Sequence, residues 1–160
     1  MKRIVCYFLL FSGLFIACSF ASSTTKKIKC LIQMTNYEGE GAYVIVSLIN
    51  PKGQYEKTVY VQGDDNEWYY ELTSWWKFYG KKRTKLDGIT GSTISGGERS
   101  MVVIQLDAAK INKGYKLRFE SAVEANNYYK KDIEFSLTTA NLQKKYNGKG
   151  FIRYVRMLPQ

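Results

Sequence analysis

Ala42-Tyr43-Val44-Ile45-Val46-Ser47-Leu48-Ile49, then Asn50-Pro51-Lys52-Gly53, then Tyr55 through Val61: two apolar runs joined by four turn residues decide the fold. Alternation at period two puts Ala42, Val44, Val46 and Leu48 on one face of a strand. The Asn-Pro-Lys-Gly stretch is written in residues that pre-set turn angles. The returning strand carries Tyr55, Val59 and Val61 on one side until Gly63-Asp64-Asp65-Asn66 breaks the pattern. The same period recurs in both directions along the chain, from Lys27 to Thr35, Met101 to Leu106, Tyr115 to Val123, Asp132 to Leu137 and Phe151 to Leu158. Seven short strands separated by Asn-, Gly- and Lys-rich loops predict an all-β, immunoglobulin-like antiparallel sandwich.

One segment departs from period two. Between Glu67 and Tyr79, the residues Trp68, Leu72, Trp75, Trp76 and Tyr79 fall at near-helical spacing, with Asn66 placed to cap the start and Gly80 to stop the end. The expectation is a short inserted helix crossing between the sheets. Its aromatic stripe has two readings. Such stripes ordinarily pack onto a sheet, whereas Trp75 and Trp76 also offer flat, polarisable surfaces on which a planar ligand can stack. Tyr69 and Tyr70 are open to both.

The N-terminus speaks for export. Lys2 and Arg3 precede an apolar run from Ile4 to Ala17, and Ser19-Phe20-Ala21 supplies small residues at a signal-peptidase site. Phe15-Ile16-Ala17-Cys18 also approaches a lipobox, so a lipid anchor at Cys18 is the alternative to a free periplasmic protein. The expected organisation is a signal peptide over residues 1–21 and a single domain over 22–160. The whole chain carries 24 basic and 14 acidic residues for a formal charge of +10. Without its first 21 residues the charge is about +8. In an exported protein that excess argues against nucleic acid and leaves a solvated face or an anionic surface. Its densest cluster is Lys81-Lys82-Arg83 with Lys85. Cys30 is the one cysteine beyond the signal region, which excludes an internal disulfide. Alternating with Ile28, Ile32 and Met34, it belongs on the buried face of a strand.

Directly after the basic cluster comes Asp87-Gly88-Ile89-Thr90-Gly91-Ser92-Thr93. This stretch resembles the loop on which bacterial flavin transferases esterify FMN to a threonine, with Ser92 where Ala is usual. The chemistry asks for little more than a positioned, protruding hydroxyl, because the transferase brings FAD and the groups that stabilise phosphoryl transfer. Gly88 and Gly91 give the backbone turn conformations, Ser92 keeps the neighbouring oxygen accessible, and Thr93 is the expected acceptor. Asp87 has two candidate roles, in metal or amide binding during transfer and in capping a turn. Thr90 completes the motif. The alternative for the whole segment is an ordinary loop. With no histidine in the chain, nothing beside these hydroxyls would activate them for hydrolysis.

A second resemblance covers nearly all of the exported part. Ala42 to Asn50, Gly53-Gln54-Tyr55-Glu56-Lys57-Thr58, Trp68 with Leu72 and Trp75-Trp76, the acceptor-like loop, and Gly114 to Glu120 are similar to periplasmic proteins grouped as domain of unknown function 2271. That family resembles immunoglobulin-type domains related to the flagellar hook-cap scaffold module, and some members are encoded near flavin transferases and PepSY-domain membrane proteins. Where relatives often carry a Trp-Asp-Gly turn this chain has Leu106-Asp107-Ala108-Ala109. The resemblance implies an exported electron carrier rather than a stand-alone enzyme: FMN on Thr93, a flavin transferase to load it and a membrane-bound reductase to feed it. The alternative is a cofactor-free sandwich that binds or scaffolds a protein or glycan partner.

Overall fold

A computed structural model describes residues 24–63, 65–81, 83, 86 and 90–159. The expected signal peptide, Cys18, Asp87 and Gly88 lie outside these residues. Among the described residues, nine strands form two sheets. In chain order they are β1 (Thr25–Met34), β2 (Tyr43–Ile49), β3 (Tyr55–Gln62), β4 (Thr90–Gly91), β5 (Arg99–Asp107), β6 (Lys116–Ala122), β7 (Tyr128–Ser136), β8 (Lys145–Asn147) and β9 (Ile152–Pro159). One sheet runs β5-β1-β9-β8 and the other β4-β3-β2-β6-β7. All pairings are antiparallel except the short β3–β4 contact. The expected sandwich is therefore present. All seven strands read from the sequence are there, joined by the short β4 and β8, which carry too few residues to show a period.

The inner faces interdigitate as alternation requires. Ile28, Cys30 and Ile32 of β1 meet Val44, Val46 and Leu48 of β2, with Ile104, Phe119 and Val155 filling between them. Cys30 is fully buried, and burial pushes its thiol pKa up to about 12. It packs as a small hydrophobe without reactive thiolate character. Every residue of β2 is buried, on both faces. The strand is therefore covered twice, by the opposite sheet and by something on its outer side.

That outer cover is the aromatic segment, and here two expectations are corrected. The segment does not cross between the sheets: Tyr69, Leu72 and Trp75 pack against Tyr43, Ile45 and Val61 on the outer face of the five-stranded sheet. Nor is it one helix. A 3-10 turn over Asn66–Glu71 precedes a short α-helix, α1, over Thr73–Tyr79, with Leu72 at φ −77° and ψ 58° between them. The cap also shifts by one residue, since the Asp65 carboxylate rather than Asn66 accepts the Glu67 N–H. Gly80 closes α1, its N–H donating to the Trp76 carbonyl at 2.8 Å.

β3 carries a further correction. Its register against β2 slips between Tyr60 and Thr58, the mark of a β-bulge at Val59. Val59 then faces the inner core while Val61 faces α1, so the two do not share a side. One buried carboxylate fastens the sheets together at an end of the sandwich. Asp132 of β7 accepts the N–H groups of Lys149, Gly150 and Ile152 at 2.7, 2.8 and 2.9 Å, and the Ser121 hydroxyl at 2.5 Å. Gly150 is required there because a Cβ would run into the ring of Tyr129.

Candidate functional site

The acceptor-like loop is built onto the edge of the five-stranded sheet. β4 lies parallel to β3, with Thr90 and Gly91 opposite Val61 and Gln62. Gly91 also accepts the N–H of Gly63, and the Gln62 side-chain amide donates to the Ser92 carbonyl. A Cβ on Gly91 would lie 2.6 Å from the Tyr60 hydroxyl, so glycine permits this close seating. On the far side, Ile94 is buried and bridges Ala42 through two backbone bonds of 2.8 and 3.2 Å. Its carbonyl also accepts the Tyr37 hydroxyl at 2.5 Å. Thr93 stands between these two fixings. It is exposed, its side chain lies over Gly41, and its hydroxyl makes no hydrogen bond to a described residue. Thr90 and Ser92 are exposed beside it. The result is a free alcohol on a post whose backbone is tied on both sides.

The two tryptophans separate. Trp75 has no solvent exposure; it stacks on Tyr79 at 4.7 Å and 7°, meets Tyr69 edge-on at 5.1 Å, and donates its indole N–H to Thr58 at 2.9 Å. Its ring is closed to any incoming ligand. Trp76 keeps an open ring, half-buried, with the Arg83 guanidinium 5.9 Å from its centre. Trp76, Tyr79 and Arg83 line a shallow hollow to which Asn66 and Tyr69 contribute. Lys77 and Lys81 are exposed beside it, so the C-terminal end of α1 forms a basic aromatic corner. Arg83 has φ 38°, in the left-handed region, and its N–H donates to the Tyr79 carbonyl at 2.7 Å. Of the other expected aromatics, Tyr69 is core and Tyr70 is exposed.

Sequence reasoning missed a buried polar cluster beneath α1. Arg118 and Glu120 alternate with Leu117 and Phe119 on β6, so they face outward, but the aromatic cover encloses them. The Tyr128 hydroxyl donates to one Glu120 oxygen, and the other oxygen has no partner. The Tyr55 hydroxyl lies beside both Glu120 and Arg118 without a well-directed bond to either. Burial, against the pull of Tyr128, Tyr55 and Arg118, pushes the Glu120 carboxyl up to about 7. Burial and then the Glu120 charge raise both tyrosines above their ordinary range. Arg118 answers with a 2.6 Å bond to Glu134 and a position 5.1 Å from the Tyr55 ring centre. The available signal was two charged residues on the strand face that the helix covers.

With this geometry in place, a family model described as predicted periplasmic protein, DUF2271, matches residues 25–154. The chain belongs to this family. No curated protein and no solved structure matches it. The matched span runs from the start of β1 into β9 and takes in both sheets, α1 and the acceptor-like loop, so the DUF2271 domain is the sandwich itself.

Proposed function

We propose that this DUF2271 protein is a periplasmic electron carrier whose FMN is esterified to Thr93. The observation that carries the reading is the exposed Thr93 hydroxyl, without a described hydrogen-bond partner and held between Gly91 and the buried Ile94. In the loading step the Thr93 oxygen attacks the FMN phosphorus of FAD. The new bond is Thr93 Oγ–P, the pyrophosphate P–O bond breaks, AMP leaves with the bridging oxygen, and the hydroxyl proton passes to a base of the transferase. The base is assigned to the transferase because no described side chain hydrogen-bonds the Thr93 hydroxyl to take its proton. Once attached, the flavin supplies the redox chemistry, and the domain supplies placement and a tether that prevents loss from the envelope. Trp76, with an open ring under Arg83, is the side chain suited to stack on a flat anionic group.

A cofactor-free binding module is the second reading, favoured by that same basic aromatic corner of Trp76, Arg83, Lys77 and Lys81, which would serve an anionic partner equally well. Colour separates the two. Protein purified from its own envelope is expected to be yellow, with flavin that survives acid precipitation. Thr93→Ser should keep it, while Thr93→Ala and the isosteric Thr93→Val should lose it with an unchanged circular dichroism spectrum. Acid-stable flavin in the folded Ala or Val variant would exclude Thr93 as the acceptor. Colourless wild-type protein, from cells in which another acceptor is coloured, would favour the binding module.

A further inference from the structure

The second sheet presents a different surface. On the outer face of β5-β1-β9-β8, Lys27, Lys29, Arg99, Lys145 and Arg156 are all exposed, and none is in an ion pair with a described residue. The single acid on these four strands, Asp107, sits at the last residue of β5 and caps Ala109. Lys145 and Arg156 stand directly opposite each other in the β8–β9 register. Like charges in that position repel; the Lys145 ammonium, 4.0 Å from the Tyr154 ring centre, is partly compensated, and an anion between the two cations would relieve the rest.

Aliphatic side chains run through the cationic field. Met101 and Val103 are 52% and 48% exposed, which makes them two of the largest exposed apolar groups described. Leu31, half-buried, is the cross-strand partner of both Met101 and Arg156, while Lys29 is flanked by Val103 and Leu158. The other sheet has no such open face, because α1 and its aromatics cover it.

We propose that this face docks the protein on an anionic phospholipid surface, its lysines and arginines reaching headgroup phosphates and its aliphatic strip resting at the interface. Charge complementarity selects an anionic partner. A lipid surface suits the face better than an acidic protein. The cations are spread over four strands of an open sheet, and the exposed apolar groups are aliphatic; the tyrosine of this face, Tyr154, is half-buried beneath the Lys145 ammonium, 4.0 Å from its ring centre, rather than standing out as an anchor. Long basic side chains can also bury their stems while their charged ends stay in water. Docked this way, the protein would turn α1 and its basic aromatic corner away from the membrane, whether or not Thr93 carries flavin.

The test is co-sedimentation of the exported protein, recovered from the periplasm, with vesicles of phosphatidylglycerol and phosphatidylethanolamine, with phosphatidylcholine vesicles, and with poly-glutamate beads. Binding to the anionic vesicles should be strong at low salt, weak at high salt and at least tenfold above that to neutral vesicles. The triple variant Lys27→Gln, Lys29→Gln, Arg156→Gln should lower partition by roughly a hundredfold, at about fivefold per charge. A control with the same charge change on other surfaces, Lys52→Gln, Lys57→Gln, Lys113→Gln, should fall far less. Equal loss in both variants, or equal binding to neutral vesicles, would overturn the proposal. So would capture by poly-glutamate without vesicle binding, which would assign the face to an acidic protein.

Discussion

Glu120 shows how a single residue can set the pH response of the domain. Its carboxyl is ionised above about 4.5 in the unfolded chain and only above about 7 in the fold. The folded state therefore binds a proton that the unfolded state releases. The stability this lends is fully present below pH 4.5 and is lost as pH rises towards 7. At 1.36 kcal/mol per unit the loss is about 3 kcal/mol. Denaturant unfolding between pH 4 and 8 should show that decline in the wild type and a much flatter profile in Glu120→Gln. The same slope in both proteins would place the titrating group elsewhere. Asp132 matters through its hydrogen bonds, accepting three backbone N–H groups and a hydroxyl. Asp132→Ala leaves those buried donors orphaned and should cost about 4 kcal/mol in unfolding free energy. A change below about 1 kcal/mol would show that water replaces the carboxylate at little cost.

At the scale of elements, α1 and its 3-10 lead act as a lid over the outer face of β2, β3 and β6. Seven helical residues are too few to be stable alone, so the lid persists because Trp75, Leu72 and Tyr69 are buried against the sheet. Trp75→Ala should destabilise the protein by about 4 kcal/mol, and Trp76→Ala by about 1 kcal/mol, in thermal or chemical unfolding. Equal costs would mean that the two rings share the packing. The strands were legible because alternation survives wherever one face is wet, and Ala42, Val44, Val46 and Leu48 sit on the inner face as read. The lid's position was not. A near-helical stripe reveals that a face is buried but not which sheet buries it. The near-continuous apolar run of β2, from Tyr43 to Ile49, held the clue that both faces are covered. The bulge at Val59 was equally hidden, since one extra residue in a β-branched strand leaves no compositional mark.

On the scale of the whole molecule, the sandwich separates three surfaces. One sheet face is open, cationic and striped with aliphatic groups; the opposite one is roofed by aromatics that enclose Glu120; and a sheet edge holds up Thr93. The Thr93 site was legible in part. The motif singled out Thr93 as the candidate acceptor, and the protruding position that reading asks for agrees with its exposure. Its anchoring through Ile94, Ala42 and Tyr37 depends on a contact about fifty residues distant in the chain, which local spacing cannot reveal. Whether this edge is a covalent flavin site, as proposed, is decided by intact-protein mass with peptide mapping after coexpression with a flavin transferase and export. The expected result is a mass increase equal to one esterified FMN, carried by the peptide that contains Thr93. Unmodified protein, in cells where a known acceptor is fully modified, would contradict it and leave the loop as a turn on the sheet edge.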